Sequence, residues 1–268
     1  MQGLLHEAGV APAAATSWAP GRLPGRMSFV FAPNGYVSYG RRMLTEGDYR
    51  PLVERALEED LRDAGDVTSR AIFDTEQTRL HLYSKSRGML AGVEVFAAVF
   101  GAVDERSSVE LHRHDGDQLS DGDLVATVSG RTLSLLTAER TAINFIGYLS
   151  GIATETRRYV DAAAGRLEVL DTRKTLPGYR ALAKYAVRVG GGANHRIGLY
   201  DMVLIKDNHI DSAGGIAKAI QAVREAWGTR YRVEVECRSI DDVREALECG
   251  VDVIMLDNMD AATMREAV

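Results

Sequence analysis

Charged and polar side chains directly follow four short apolar segments in the second half of the chain. They are residues 171–174 (Asp-Thr-Arg-Lys), residues 206–209 (Lys-Asp-Asn-His), Glu236 and residues 257–258 (Asp-Asn). In a sheet of parallel strands joined by helices, residues that follow successive strands meet at the carboxyl edge of the sheet. One such cluster alone is typical of a solvated loop. Four of them in succession predict a shared site.

The predicted site carries both signs of charge. Its cations are Arg173, Lys174, Arg196 and Lys206, and its carboxylates are Glu236 and Asp257. Cations favour an anionic substrate, whereas a pair of carboxylates favours a hard divalent metal or a developing positive charge. Because no cluster of His and Cys accompanies these oxygen ligands, Mg2+ is favoured over Zn2+. One substrate with carboxylates and another with phosphate and Mg2+ would use both kinds of charge.

Two features near these clusters leave alternatives open. The three glycines at 190–192 precede His195 and Arg196, and they could be a phosphate cradle or only a tight turn, since they match neither the dinucleotide fingerprint nor the P-loop. Lys206 could form a Schiff base with a carbonyl substrate. Neighbouring carboxylates stabilise the charged lysine, so the sequence favours anion binding by Lys206.

Helices alternate with apolar strands around these clusters. The predicted strands are residues 167–170, 202–205, 232–235 and 251–256, and the predicted helices are residues 133–164, 180–187, 215–227 and 240–248. Strands that are apolar on both faces and joined by helices are parallel. A complete (β/α)8 barrel takes about 250 residues, far more than follow Thr137. We therefore expect an α/β fold whose barrel is open, incomplete and truncated at its carboxyl end.

The chain divides into three predicted parts. Residues 1–45 hold four of the six prolines and lack periodicity, which predicts a loose, disordered leader. Residues 46–136 combine helical and alternating patterns with two Asp-Gly turns, which predicts a small amino-terminal α+β domain. Residues 137–268 are the predicted partial (β/α) barrel and catalytic domain.

Composition excludes several classes of protein. The 268 residues carry a formal net charge of −6, and 46% of them are hydrophobic. The acidic balance argues against nucleic-acid binding, and the lack of an apolar run near 20 residues argues against a membrane span. Cys237 and Cys249 are too few for a disulfide scaffold. A reducing, cytoplasmic location fits this composition best.

Several segments together resemble the nicotinate-nucleotide pyrophosphorylase family, also called quinolinate phosphoribosyltransferase. They are AERTAINF at 138–145, DTRKTLPG at 171–178, KYAV at 184–187, GGG at 190–192, NHR at 194–196, KDNHI at 206–210, VEVE at 233–236 and LDN at 256–258. The resemblance covers about residues 48–268, and the order and spacing of the segments make it specific.

The resemblance implies a carboxylating phosphoribosyl transfer by a pentosyltransferase. Quinolinate and 5-phosphoribosyl 1-diphosphate would give nicotinate mononucleotide, diphosphate and CO2 in NAD biosynthesis, with Mg2+ required. The family positions for quinolinate binding match Arg140, Arg173, His195, Arg196 and Lys206, and Thr172 and Lys174 lie in the same binding stretch. Glu236 and Asp257 match positions that face the ribose and contact the metal through substrate or water, and Lys174 joins them as a catalytic residue. Family members are homodimers, so we expect a homodimer or larger homo-oligomer, with Arg140 reaching across the interface.

One departure from the family keeps alternatives open. Two further strands and glycine-rich loops that hold the donor 5-phosphate follow LDN in the family, whereas this sequence ends at Val268. We expect a weakened donor site, in a fragment of a longer product or in an impaired protein. The alternatives are a paralogue with another acceptor, such as the molybdenum-transport-associated homologues, a Schiff-base lyase acting through Lys206, and a non-catalytic remnant.

Overall fold

The computed structural model of the protein describes residues 29–31 and residues 44–268. The chain divides into two compact units, whose described parts are residues 44–195 for the first and residues 29–31 with 196–268 for the second. Most of the predicted leader, residues 1–45, lies outside the described residues.

The described residues form nine strands and nine helices. The strands are β1 (Phe29–Phe31), β2 (Gln77–Tyr83), β3 (Gly88–Met89), β4 (Ser108–Leu111), β5 (Gln118–Leu119), β6 (Leu124–Arg131), β7 (Val203–Ile205), β8 (Val233–Cys237) and β9 (Val253–Leu256). The helices are α1 (Glu46–Leu61), α2 (Val67–Ile72), α3 (Val93–Val103), α4 (Thr132–Ala163), α5 (Arg180–Val189), α6 (Asp207–Ala213), α7 (Ile216–Trp227), α8 (Ile240–Glu248) and α9 (Ala261–Ala267).

The first unit packs helices on an antiparallel sheet of order β2-β6-β4. Residues of β2 alternate between exposed and more buried positions, as the polar-apolar alternation predicts. The buried side of the sheet and helices α3 and α4 share a core in which Phe96, Phe100, Leu135 and Leu149 are almost completely buried. Burying each such side chain stabilises the fold by about 1.5–3 kcal/mol. This core holds α3 and α4 against the sheet.

Helix α4 continues across the predicted domain boundary at residue 137. It packs against α3 at one place and against α5 at another, so the first compact unit extends to His195. The three glycines at 190–192 allow the end of α5 to approach α4 closely. A Cβ atom on Gly192 would lie 2.9 Å from side-chain atoms of both Thr156 and Val187, and Gly191 has a φ of +90°. The close approach and the turn therefore account for these glycines without a phosphate.

The second unit contains a sheet of order β1-β9-β8-β7 in which β7, β8 and β9 are parallel. Three predicted strands and the helices that join them are thus confirmed, as is the α/β class. The fourth predicted strand, residues 167–170, was wrong: only Leu170 pairs, in a single bridge with Ala193. Leu167 is exposed, so this segment lacks the apolar burial of a central strand. Closure into a barrel stays a prediction.

Strand β1 lies within the predicted leader and corrects the expectation of disorder for three residues. It pairs antiparallel with β9, with Val30 opposite Met255. Without β1, strand β9 would leave a row of unpaired backbone N–H and C=O groups at the edge of the sheet. Pairing with these groups explains why residues 29–31 form a strand.

The helices of the described segments are all too short or too polar to cross a lipid bilayer.

Candidate active site

Three predicted site residues share one face of the sheet in the second unit. Glu236 of β8 pairs with Met255 of β9, and the Asp257 N–H donates to the Cys237 carbonyl at 3.0 Å, which extends the ladder by one residue. Lys206 directly follows β7 in the same parallel register. Because side chains two positions apart in a strand share a face, Lys206, Glu236 and Asp257 lie together at the carboxyl edge. The parallel register thus brings these three residues to one edge of the sheet, and their roles in a site stay predictions.

Lys206 and Glu236 form an ion pair at this edge. The Lys206 Nζ donates to Glu236 Oε2 at 3.1 Å. The lysine side chain is 46% exposed, whereas that of the glutamate is only 12% exposed. The ion pair occupies the amine that a Schiff base would have to use, and its exposed part can also contact an anion from solution. The geometry therefore favours anion binding over the lyase hypothesis.

Asp171 is a buried carboxylate that directly precedes the cationic segment, residues 172–174, of the first unit. Its Oδ1 accepts from Lys184 Nζ at 2.5 Å and from the His195 backbone N–H at 2.9 Å, and its Oδ2 accepts from Asn194 Nδ2 at 2.7 Å. Burial raises the pKa of Asp171, while the hydrogen bonds from Lys184, His195 and Asn194 oppose that rise. We assign an ionised carboxylate, since a cation and two further donors stabilise its charge.

The segment after Asp171 presents a buried donor that lacks a partner. Among the described residues, the Arg173 Nε is buried and makes no hydrogen bond. Thr172 and Lys174 beside it are exposed, and the Lys174 N–H donates to Thr172 Oγ1 at 3.0 Å. An unsatisfied buried N–H is unfavourable by about 1–3 kcal/mol, which an anionic ligand would relieve. The His195 side chain is buried.

The remaining predicted site residues, Arg196 and Arg140, lie on different elements. Arg196 is buried at the start of the second unit, where its Nη1 donates to the Met202 carbonyl at 3.3 Å. Arg140 is on α4 with its side chain exposed. An exposed position suits a residue that reaches a partner subunit, and that role stays a prediction.

Comparison with known proteins decides the family. A family model described as quinolinate phosphoribosyl transferase, N-terminal domain, matches residues 66–150, and one described as quinolinate phosphoribosyl transferase, C-terminal domain, matches residues 152–268. The chain belongs to the quinolinate phosphoribosyltransferase family. The family resemblance seen in the sequence is thereby confirmed.

Individual relatives agree with this assignment. A probable nicotinate-nucleotide pyrophosphorylase [carboxylating] of Bacillus subtilis is 44% identical over 202 residues, which are 75% of this chain and 70% of the relative. The chloroplastic nicotinate-nucleotide pyrophosphorylase [carboxylating] of Arabidopsis thaliana is 40% identical over 246 residues, 88% of this chain and 68% of the relative. The crystal structure of NadC from Streptococcus pyogenes matches with a TM-score of 0.81 and 43% identity, covering 84% of this chain and 80% of that one.

Family membership directs attention to residues to which the sequence assigned no role. Lys184 and Asn194 lie within segments that resemble the family, yet only the structure shows their contacts with Asp171. Glu234 is fully buried on the same face of β8 as Glu236. One signal was available in the sequence: Lys184 interrupts the buried stripe of α5 formed by Leu182, Ala183 and Ala186.

Proposed function

We propose that this member of the quinolinate phosphoribosyltransferase family transfers the phosphoribosyl group of 5-phosphoribosyl 1-diphosphate to quinolinate. The products are nicotinate mononucleotide, diphosphate and CO2, which places the reaction in NAD biosynthesis. The observation that carries the proposal is the buried Arg173 N–H without a protein partner, in a cationic segment held by an ion-paired carboxylate.

The cations of the chain suit an acceptor with two adjacent carboxylates. We assign quinolinate binding to seven residues: Arg140, Thr172, Arg173, Lys174, His195, Arg196 and Lys206. A charge-assisted hydrogen bond contributes about 1.5–3 kcal/mol, so several together can hold a dianion against its hydration. This count of cations favours quinolinate over the acceptor of a paralogue.

Glu236 and Asp257 are suited to the ribose of the donor. As the pyridine nitrogen of quinolinate forms its bond to the ribose carbon, the bond from that carbon to diphosphate breaks, and positive charge develops on the ribose. The two carboxylates at the sheet edge stabilise this charge, and Lys174 supplies a cation to the departing groups. When the adjacent carboxylate then departs as CO2, the electron pair of the broken bond stays on the ring carbon. The positive charge of the quaternised nitrogen stabilises that pair until the carbon takes up a proton. The protein thus orients the reactants and excludes water.

The donor set fits Mg2+ that is held largely by substrate. Within the described residues, no cluster of three or more His, Cys, Asp or Glu could hold a metal ion. Glu236 and Asp257 supply only oxygen ligands, which suit Mg2+, and Glu236 is already bonded to Lys206. We therefore propose that these two carboxylates contact Mg2+ through substrate or water. When bound, Mg2+ neutralises the leaving diphosphate.

Calorimetric titration with quinolinate, followed by an assay of quinolinate-dependent nicotinate mononucleotide and CO2 formation, tests the proposal. We expect saturable heat with quinolinate and much weaker heat with nicotinate, which lacks the second carboxylate. Equal binding of both acids would favour a paralogue with another acceptor. No saturable heat with quinolinate would contradict the proposal and favour a non-catalytic remnant.

We further propose a cytoplasmic enzyme that acts as a homodimer or larger homo-oligomer. The exposed Arg140 supports the proposed assembly, and the low cysteine content of the chain supports a reducing compartment. Sedimentation equilibrium would give the mass in solution, and a monomer at assay concentration would contradict the predicted assembly.

A further inference from the structure

A buried network connects three segments of the first unit. Asp171 begins the segment that carries Thr172, Arg173 and Lys174, and Lys184 belongs to α5. Asn194 immediately precedes His195. Asp171 accepts hydrogen bonds from Lys184, from Asn194 and from the His195 backbone N–H. Residues 172–174 and His195, which are predicted to bind the acceptor, are therefore both attached to the same carboxylate.

Further hydrogen bonds reinforce the same three segments. Lys184 Nζ also donates to the His195 carbonyl at 3.0 Å, and Asn194 Nδ2 also donates to the Lys184 carbonyl at 2.9 Å. Arg188, one turn further along α5, donates to Asn194 Oδ1 at 2.6 Å. The backbone N–H and carbonyl of His195 are thus both hydrogen-bonded within the network, which fixes the position from which its side chain extends.

The charges of the network also suit an anion site. The Asp171 and Lys184 side chains are only 7% and 4% exposed. Without Lys184, Asp171 would place an uncompensated negative charge two residues from Arg173, which would repel a dianionic ligand. Because Lys184 neutralises Asp171, this side chain can hold the surrounding segments in place without repelling the carboxylates of the acceptor.

We propose that Asp171, Lys184 and Asn194 are positioning residues that hold residues 172–174 and His195 in the conformation that binds the acceptor carboxylates. This proposal rests on the proposed function, because it takes quinolinate as the acceptor. None of the three residues needs to touch the substrate. They act through the ligand-bearing segments, as supporting hydrogen bonds do in other binding sites.

The neighbouring residue of α5 provides a matched control. Tyr185 Oη donates to Asp115 Oδ2 at 2.5 Å, and Asp115 Oδ1 accepts from the Val93 N–H at 3.0 Å. This contact fastens α5 to another part of the first unit. Tyr185→Phe therefore removes a partly buried hydrogen bond of α5 and spares the network.

The main test uses the double variant Asp171→Asn/Lys184→Met in the full chain. It removes both charges together, so no unpaired buried charge remains. The His195 N–H and Asn194 Nδ2 donate to different oxygens of Asp171, and an amide offers only one oxygen in their place. We expect the Kd for quinolinate to rise about 10- to 100-fold, the range for supporting partners of binding groups. The KM for 5-phosphoribosyl 1-diphosphate should stay within about twofold. The single variant Lys184→Arg, which keeps a cation beside Asp171, should lose less affinity for quinolinate than the double variant.

Hydrogen exchange of the His195 backbone amide gives a second readout that needs no ligand. Exchange should accelerate in the double variant and not in Tyr185→Phe. Unchanged quinolinate affinity in a folded double variant, or the same loss in Tyr185→Phe, would overturn the proposal. If the double variant does not fold, Asn194→Ala removes one tie to Asp171, and unchanged affinity and exchange there would overturn it equally.

The two proposals can fail separately. If the unaltered chain binds no quinolinate, the proposed function fails, and exchange at His195 alone then decides whether the network positions this segment. If the unaltered chain binds quinolinate and the variants bind it equally well, only the positioning proposal fails.

Discussion

Replacing Arg173 by methionine should weaken acceptor binding and leave the fold intact. The change removes the cation and the buried Nε–H that lacks a protein partner, while keeping most of the aliphatic volume. The loss of one charge-assisted hydrogen bond amounts to about 1.5–3 kcal/mol. Since about 1.4 kcal/mol corresponds to a tenfold change, the Kd for quinolinate should rise roughly 10- to 150-fold.

The stability of the ligand-free protein should change in the opposite sense. An unsatisfied buried N–H opposes folding by about 1–3 kcal/mol, so its removal should leave the free energy of unfolding unchanged or raise it by up to that amount. Isothermal titration calorimetry measures the affinity, and urea unfolding without ligand measures the stability. A combined loss of affinity and gain in stability is the signature of a group kept for binding.

Arg158→Met is the matched control for this experiment. Arg158 lies on α4 in the same unit, is 63% exposed and pairs with Glu155 three residues away. Exposed pairs of this kind contribute about 0–1 kcal/mol, so both affinity and stability should stay close to those of the unaltered chain. Arg173→Met with a Kd within twofold of the unaltered chain would refute the role assigned to Arg173. A loss of stability above about 2 kcal/mol would refute the argument from the unpartnered Nε.

Three further measurements test other parts of the structure. Asp257→Asn should slow product formation with little change in the Kd for quinolinate, because the carboxylate acts on the ribose; an unchanged rate at saturating substrates would remove Asp257 from the reaction. A double-mutant cycle on Lys206 and Glu236 should give a coupling free energy below about 1 kcal/mol in urea unfolding, since Lys206 is half exposed; a much larger coupling would assign the pair to the fold. Asp66 caps the amino end of α2, where its side chain accepts from the Thr68 and Ser69 N–H groups. Burial alone would raise the pKa of Asp66, but hydrogen bonds from Ser69 and neighbouring residues lower it below the ordinary value. The stability that this depressed pKa confers is therefore present above the unfolded-state pKa and lost as pH falls through the folded-state pKa. Asp66→Asn should flatten the decline in unfolding free energy between about pH 5 and pH 2, and an unaltered decline would contradict the capping role of Asp66.

Local patterns in the sequence were sufficient to predict the positions of several helices and strands. Helices α4, α5, α7 and α8 and strands β7, β8 and β9 lie within one or two residues of their predicted positions. Each combines a clear apolar period with a terminating signal, so neighbouring residues alone carry the information. Polar residues after β7, β8 and β9 were predicted to meet because the parallel connection forces the strand ends to the same edge.

Other features depend on residues far apart in the chain. Residues 167–170 contain apolar side chains, yet Leu167 is exposed and the segment makes a single bridge. The three glycines at 190–192 were open to two interpretations until their distances from α4 were known. Strand β1 could not be anticipated, because its pairing partner β9 is more than two hundred residues away in the sequence.

The sequence by itself determined the family, the order of the helices and parallel strands, and the chemical types of the residues at the strand ends, because these properties reside in residue identity and short-range spacing. Only the tertiary structure decided which polar groups are buried together. Asp171, Lys184 and Asn194 are ordinary polar residues in the sequence, and Arg173 is one arginine among many. The roles proposed for them rest on desolvation and on hydrogen-bond geometry between distant segments, which no local pattern encodes.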